Sequence, residues 1–466
     1  GIQIAGHCFY YEFMDYCLDL LQEKAAVNTL MVSFHAYYGA IGRPEKLVGN
    51  HGVPKKGDEN RIIRRNWIEH NEKYYNNTTL RHLPVRKGVA YENKDLMKDL
   101  LDKAHKRGMK VYERMYELHG AGLGKEFISG YETILETGID GTTLSSPCVN
   151  NPDYQAWLAA TMQDMFESYP IDGIQFGSET RDPLSGMVFG GRTPGCFCNH
   201  CMQRIANMGY DPEKAKEGVV KMAAYFNQLR ASEKPNSEGV YPVFYRMLME
   251  YPEILTWAHQ WQKGRTDQQM LVYNTVKKAN KNAQVGRHNA GQQNTRSFFF
   301  RAGTPVDEMA EGCDFIKPII YHEIMGERLH KFLKSMQETF YKGLSKEMIL
   351  DLYYTLFQYD KNQQPSLANL SKTGLSPNYV EVETRRIVKE AKGKAEVYPG
   401  IGIDIPKQTH SAWGDKPFKS NPEWLKEAVI KSFEVGATGV VACREYEEMD
   451  IESLKVYGDA VKTIKI

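Results

Sequence analysis

The stretch Asp172-Gly-Ile-Gln-Phe-Gly-Ser-Glu179 decides the fold. It reads as a short buried strand that ends on a carboxylate, Glu179, and barrel enzymes place their reactive carboxylates at such strand ends. Three thiols follow in Cys196-Phe-Cys198-Asn-His-Cys201, a spacing tight enough to hold a metal ion. Together the two segments predict a barrel in which a thiol cluster braces the loop that carries Glu179.

Outward from this stretch, an apolar run followed by an amphipathic segment recurs eight times. The runs predict strands over residues 2–10, 29–35, 109–115, 173–178, 284–288, 314–321, 395–403 and 439–443. Nearly continuous apolar runs are typical of parallel strands buried on both faces. The prediction is an α/β fold, a single (β/α)8 TIM barrel over residues 1–466, with long insertions after strands two and four at about 39–93 and 199–282. The competing doubly wound sheet usually carries a G-x-G-x-x-G fingerprint, which is absent.

Composition narrows the function classes. The 466 residues include 59 basic and 58 acidic side chains, so no field of one sign is available to gather nucleic acid. No run of 18 apolar residues is present, which argues against a membrane partner. Eight cysteines in a chain of this length indicate one metal site plus buried thiols, not a disulfide scaffold. The chain begins with a glycine, so a signal peptide would be absent from it and the compartment stays open.

Polar side chains stand at the carboxyl end of nearly every predicted strand. One polar, concave end of a barrel predicts a small-molecule site. The candidates are His7, His35, Glu113, Arg114, Glu117, Glu179, Arg287, His288, Lys317, Tyr321, His322, Glu323, Asp404, Arg444 and Glu445.

Carboxylates, arginines and aromatic rings suit the cleavage of a glycosidic bond. Such cleavage needs one carboxylic acid to protonate the leaving oxygen and one carboxylate to attack or to activate water. Trp413, in the loop after strand seven, is a candidate for stacking on a sugar. No phosphate-binding glycine loop and no G-x-S-x-G elbow occur, so no organic cofactor is expected.

Around Glu179 and the cysteines the chain resembles clan A glycoside hydrolases, and it is most similar to family 42 β-galactosidases. That clan carries its acid/base after strand four and its nucleophile after strand seven. Family 42 members also bind a structural zinc through one cysteine after strand three and a C-x-C-x-x-C. The resemblance covers about residues 148–201 and implies Glu179 as acid/base, with zinc ligands Cys148, Cys196, Cys198 and Cys201.

The whole sequence looks still more like uncharacterised bacterial glycosidase-like proteins, with landmarks at 150–154, 196–198, 398–404 and 444–449. That group assigns no substrate, and it implies a bacterial cytoplasm or periplasm. Two departures from the clan pattern stand out. Ser178 replaces the usual Asn, and Asp404 replaces the usual Glu nucleophile. Because Asp is shorter, the pair can be wider; about 5–5.5 Å predicts retention and about 6.5–9.5 Å inversion.

Several assignments stay open. Glu445 and then Glu323 are rivals of Asp404, which can instead cap a helix or turn. His200 is an alternative to Cys148 as metal ligand. The residues expected to bind a carbohydrate substrate are His7, His35, Glu113, Arg114, Arg287, His288, Tyr321, Trp413 and Arg444. If more than one arginine faces the pocket, the expected sugar is anionic, such as a uronic or sulfated sugar.

Two other functions compete with hydrolysis. A lyase or isomerase barrel would use Lys317 as a Schiff base on a small oxo-acid. A carbohydrate-binding barrel would bind sugar without chemistry. The long insertions would wall the pocket or form a contact between subunits of a homo-oligomer.

Overall fold

The structure is a computed structural model, and it describes residues 1–35, 51–53, 66–84, 95–118, 124–177, 182–234, 237–289, 296–405 and 418–464. Glu179, Trp413 and Ser178 lie outside the described residues.

The strands of the main sheet are β1 Ile2–Ala5, β2 Thr29–Ser33, β3 Lys110–Tyr116, β4 Gly173–Gly177, β5 Gln284–Asn289, β6 Phe315–Pro318, β7 in two segments, Glu396–Val397 and Gly400–Gly402, and β8 Val441–Cys443. Every pairing in this sheet is parallel, and each strand pairs with its neighbour in sequence. β1 also pairs with β8, through Ile2 and Ala442.

The sheet curls until its ends meet on β7. The first segment of β7 pairs with β6 and the second with β8, while Ile319 bridges to Gly400. Tyr398 and Pro399 separate the two segments, since a proline has no N–H to donate to a ladder. The fold is therefore α/β and of the TIM-barrel type, and the strand order excludes the doubly wound sheet.

The predicted first strand was too long. β1 ends at Ala5, and residues Gly6–Tyr11 form a helix. Most residues on both sides of this junction are buried, so the apolar run continues across it and its periodicity does not mark the change. This helix carries His7 away from the strand it was expected to end.

Helices cover the outside of the barrel. Leu96–Lys106 shows why they form: Asp95 accepts a hydrogen bond from the Lys98 N–H at 3.1 Å as N-cap, and an apolar stripe faces the sheet. The other helices of eight residues or more are Met14–Ala25, Pro152–Ser168, Pro183–Gly190, Asn199–Asn207, Pro212–Ala231, Val240–Glu250, Glu253–Ala279, His322–Gln337, Lys346–Leu356, Pro377–Ala391, Pro422–Glu434 and Ile451–Lys462. Among the described residues, no helix is long and apolar enough to cross a bilayer.

The connection between β3 and β4 contains a hairpin that the sequence pattern did not reveal. Its strands, Leu135–Thr137 and Thr143–Pro147, pair in antiparallel fashion. Cys148 follows the second strand directly. Phe197 donates its N–H to Thr137 O at 2.7 Å, so this hairpin is tied to the segment after β4.

Asp182, the N-cap of the helix Pro183–Gly190, makes stability depend on pH. Burial raises the pKa of Asp182 from 3.8 to about 6, although the Ser185 hydrogen bonds oppose the rise. The folded protein therefore holds this proton more tightly than the unfolded chain. The resulting stabilisation, about 3 kcal/mol, is complete below about pH 4 and is lost as the pH rises through about 6.

We expect Asp182→Asn to remove this dependence while keeping the helix cap. Unfolding by urea at about pH 4 and about pH 8 measures it as a difference between two free energies. Asp211→Asn is the matched control, because Asp211 caps the helix Pro212–Ala231 from an exposed position. Equal pH dependence in all three proteins would contradict the prediction.

Candidate functional site

Of the predicted catalytic and substrate-binding residues that the structure describes, five lie within barrel strands and the others follow the carboxyl end of a strand; the five are Glu113, Arg114, Arg287, His288 and Lys317. Most of them are buried, and their contacts separate them into distinct groups. Glu179 and Trp413 lie outside the described residues, so their placement stays a prediction.

Glu445 and Arg114 form an ion pair across the barrel. Arg114 Nη2 donates to both carboxylate oxygens of Glu445 at 2.8 and 2.9 Å, and Arg114 Nε donates to Ser33 Oγ at 2.8 Å. Burial raises the pKa of Glu445, and the guanidinium of Arg114 opposes that rise. Arg114 Nη1 has no hydrogen-bond partner among the described residues. One donor therefore remains for a ligand beside the Glu445 carboxylate.

A chain of hydrogen bonds crosses the interior of the barrel. Lys317 Nζ donates to Tyr321 OH at 2.6 Å, and Tyr321 OH donates to Gln3 Oε1 at 3.3 Å. Gln3 Nε2 donates to Gln175 Oε1 at 3.4 Å, and Gln175 Nε2 lies 3.1 Å from His288 Nδ1. The Lys317 side chain is enclosed, with 0% exposure. Lys317 as a Schiff-base residue stays a prediction, since burial is compatible with that role.

Asp404 is engaged by the backbone and by serine. Its Oδ1 accepts from Ser420 N at 2.8 Å and Ser453 Oγ at 3.0 Å, and its Oδ2 accepts from Asp450 N at 2.8 Å. Asp450 is the N-cap of the helix Ile451–Lys462, so the carboxylate lies at a helix N-terminus. These contacts favour the capping role over the nucleophile. Asp404 as partner of Glu179 stays a prediction.

Glu323 is a buried carboxylate next to Asp404. Its Oε2 accepts from Ser420 Oγ at 3.0 Å, while its Oε1 has no partner among the described residues. Burial raises the pKa of Glu323 well above its usual range, and the hydrogen bond from Ser420 opposes the rise. Burial therefore favours the neutral form of Glu323. Ser420 connects it to Asp404, because the Asp404 N–H donates to the same Oγ at 2.9 Å.

The predicted arginines differ in their charge partners. Arg444 pairs with Glu448 at 3.1 Å, and Arg114 pairs with Glu445. Arg287 makes no ion pair with any described residue, although it is only 6% exposed. Burial lowers the pKa of Arg287, with Cys313 the largest opposing influence. Arg287 is thus the predicted arginine with no described carboxylate at ion-pair distance, although Glu117 and Glu308 act on its charge from further away.

His35 and Glu113 belong to a larger chain of side-chain contacts, of which the sequence analysis identified only these two residues. His35 Nδ1 lies 3.1 Å from Glu113 Oε1, and His35 Nε2 lies 3.1 Å from His70 Nε2. His70 Nδ1 lies 3.1 Å from Asp164 Oδ2, on the helix Pro152–Ser168, and His82 stacks on His70 with ring centroids 3.5 Å apart. His70 and His82 sit in the long segment after β2, where no strand end marked them.

The four predicted metal ligands come together. Cys148 Sγ lies 3.5 Å from the Sγ atoms of both Cys198 and Cys201, and the ligand atoms of all four cysteines lie within 4.8 Å of one another. None of the four is in a disulfide. His200, the alternative ligand, is exposed on the helix Asn199–Asn207.

The surroundings of the four thiols suit thiolate ligands. Thr137 N–H donates to Cys196 Sγ at 3.4 Å, and Asn150 Nδ2 donates to Cys201 Sγ at 3.3 Å. Four thiolates in tetrahedral reach are the donor set of a structural zinc site, so this cluster can bind a metal ion.

No protein-family model matches the sequence, and no curated protein sequence matches it either. Solved structures do. The chain is similar to a β-galactosidase from the psychrophilic Marinomonas ef1, with 9% identity and a TM-score of 0.53 over 99% of this chain and 59% of that one. It is also similar to the polyextremophilic β-galactosidase of the Antarctic haloarchaeon Halorubrum lacusprofundi, with 11% identity and a TM-score of 0.51 over 99% and 57%. The chain thus spans under two thirds of the length of either enzyme, and at this identity the likeness shows the shared TIM-type barrel fold.

Proposed function

We propose that the protein is a glycoside hydrolase that cleaves a glycosidic bond with a pair of carboxylates. The observation that carries the proposal is the polar end of the barrel, where buried groups lack partners among the described residues. Arg114 Nη1, Glu113 Oε2, Glu323 Oε1 and both ring nitrogens of His322 are of this kind. Buried polar atoms are nearly always paired, so such a concentration favours a ligand with many hydroxyl groups. The β-galactosidases of similar fold support the same substrate class.

Glu445 is the proposed partner of Glu179. Its ion pair brings the carboxylate from the end of β8 across to Arg114 on β3. Arg114 is in register with Gln175 on β4, and Glu179 follows β4 by two residues. Glu445 is therefore held toward the side of the barrel from which the Glu179 segment leaves. Asp404 has its carboxylate committed to three donors, which makes it the weaker candidate.

The roles follow from the chemistry of the pair. Glu179 donates its proton to the glycosidic oxygen as the bond from that oxygen to the anomeric carbon breaks. Glu445, in its ionised form, attacks the anomeric carbon or takes a proton from the attacking water. The predicted substrate-binding residues orient the hydroxyl groups of the substrate. They are His35, Glu113, Arg114, Arg287, His288, Tyr321, Trp413 and Arg444.

The charges at this end of the barrel favour a neutral sugar. Arg114 and Arg444 each face a carboxylate at 3.1 Å or less, which leaves Arg287 as the candidate for an acidic substituent. An anionic substrate stays a narrower prediction that depends on whether Arg287 reaches it. The proposal has three further parts. The chain is a single barrel domain over 1–466 with insertions at about 39–93 and 199–282. The four cysteines hold a structural zinc, and the protein forms a contact between subunits.

The test is hydrolysis of a panel of glycosides by the wild-type protein and by Glu179→Gln. We expect the variant to lose about 10³-fold in kcat/KM on disaccharides, which need a protonated leaving group, and about 10-fold on nitrophenyl glycosides, whose leaving group needs little help. Glu213→Gln, an exposed carboxylate, is the control. Sugar binding without turnover would make the protein a carbohydrate-binding barrel. Unchanged hydrolysis by Glu179→Gln would refute the assignment of the acid.

A further inference from the structure

His7, Cys8 and Glu447 meet at the seam between the first and last strands. His7 and Cys8 follow β1 directly, at the start of the helix Gly6–Tyr11, and Glu447 lies in the 3₁₀ turn Tyr446–Glu448 after β8. Because β1 and β8 pair in the barrel, residues 439 apart in sequence come into contact. All three side chains are buried.

The distances among the three side chains are compatible with metal coordination, and the contact from Cys8 to Glu447 is also compatible with an S–H···O hydrogen bond. His7 Nε2 lies 3.5 Å from Glu447 Oε1, longer than an N–H···O hydrogen bond of about 2.7–3.2 Å. Cys8 Sγ lies 3.4 Å from Glu447 Oε2 and 3.8 Å from His7 Nε2. Zinc bonds of about 2.0–2.3 Å in a tetrahedron place such N, O and S ligand atoms about 3.4–3.6 Å apart.

The described contacts of the buried His7 imidazole leave most of its hydrogen-bonding capacity unused. The side chain is 3% exposed, and its Nδ1 has no hydrogen-bond partner among the described residues. Its Nε2 has the sulfur at 3.8 Å and the carboxylate at 3.5 Å as its described contacts. A buried ring without a good hydrogen bond is rare, and a metal ion would give Nε2, though not Nδ1, a partner.

We propose that His7, Cys8 and Glu447 form a second metal site that takes Zn²⁺ or a similar divalent transition-metal ion. One nitrogen, one sulfur and one oxygen donor suit such an ion better than Mg²⁺ or Ca²⁺, which prefer oxygen donors. Three protein ligands leave a fourth position open for water, unlike the closed four-cysteine site. The site stands two residues from Glu445, and this role replaces the substrate-binding role predicted for His7. The inference does not depend on the proposed hydrolase activity.

Metal content tests the proposal without any substrate. The purified protein is stripped with a chelator, reloaded with Zn²⁺ and desalted, and zinc is counted by mass spectrometry. We expect Cys8→Ala and Glu447→Gln each to bind about one zinc fewer per chain than the wild type, while Cys17→Ala, a buried thiol nearby, binds as much as the wild type. Loading with Co²⁺ adds a second readout, since Cys8→Ala should lose part of the thiolate-to-cobalt absorption.

Two results would overturn the proposal. One is equal zinc content in the wild type, Cys8→Ala and Glu447→Gln, which would make the cluster a set of ordinary buried contacts. The other is an equal loss of zinc in Cys17→Ala, which would reflect general disruption of this part of the fold. Glu447→Gln keeps the shape of the side chain, so it remains informative if Cys8→Ala folds poorly. Loss of hydrolysis by Glu179→Gln has no bearing on either result.

Discussion

Glu445→Gln is expected to lower kcat/KM on any glycoside that the protein cleaves by about 10³-fold or more, or about 4 kcal/mol of transition-state stabilisation. The amide keeps the size of the side chain but removes the charge needed to attack the anomeric carbon or to accept a proton from water. The variant also leaves Arg114 charged and without its carboxylate. Because both side chains are largely buried, with 0% and 11% exposure, we expect a loss of stability as well, up to about 3–5 kcal/mol.

A matched control separates the loss of chemistry from the loss of stability. Glu383 is fully buried in the helix Pro377–Ala391, and it pairs with Arg386 at 3.0 Å and Arg301 at 3.4 Å. Glu383→Gln should lose stability to a similar extent and keep its kcat, since the pair lies in the helical layer. Urea unfolding and steady-state kinetics on the same preparations measure both quantities. Equal losses of kcat in the two variants would reduce Glu445 to a structural residue.

Glu323→Gln tests whether Glu323, and not Glu445, is the carboxylate that acts together with Glu179. Burial favours the neutral form of Glu323, for which glutamine is a close substitute, so we expect a smaller loss of stability than for Glu445→Gln. If Glu323→Gln abolishes turnover while Glu445→Gln only weakens it, the partner of Glu179 is Glu323.

The sequence was sufficient to predict the barrel fold because the barrel strands are local apolar runs. The stretch 173–178, for example, corresponds to β4 within one residue. Prediction from the sequence failed at β1, where the apolar run continues into the helix Gly6–Tyr11. It also missed the hairpin of Leu135–Thr137 and Thr143–Pro147, whose short strands contain polar residues. Local patterns carry no information where a strand changes to a helix inside a buried segment.

The site was less predictable, since its contacts join distant parts of the chain. Residue types at strand ends indicated Arg114 and Glu445, but their pairing spans 331 positions and depends on the closure of the barrel. Asp404 was indicated by its strand, yet its three donors come from Ser420, Asp450 and Ser453. The cysteines were the exception, because three of the four lie within six residues and the local spacing already limits their geometry.

Cys198→Ser is expected to eliminate metal binding at the four-cysteine site and to lower the free energy of unfolding by about 4 kcal/mol or more. The cluster ties Cys148, after the hairpin of the β3–β4 connection, to the segment 196–201 of the β4–β5 connection. A bound ion would therefore cross-link the two segments that flank the loop of Glu179. Serine is a poor zinc ligand, so the variant leaves three thiolates with an incomplete shell and frees both segments.

Cys313→Ser is the matched control for this loss. Cys313 is buried, and its thiol donates to Met309 O at 3.3 Å, a contact that a serine hydroxyl can also make. It should keep its zinc and lose about 1 kcal/mol. Zinc content and urea unfolding, each with and without a chelator, measure the effect. If zinc is a brace, chelation should destabilise the wild type and Cys313→Ser more than it destabilises Cys198→Ser, which has only the second proposed metal site left to lose. Equal stability of all three with and without chelator would mean that the four thiols are simply packed together. If the metal also braces the loop of Glu179, as proposed, turnover should fall together with zinc content, and turnover that survives complete loss of this zinc would separate the brace from the chemistry.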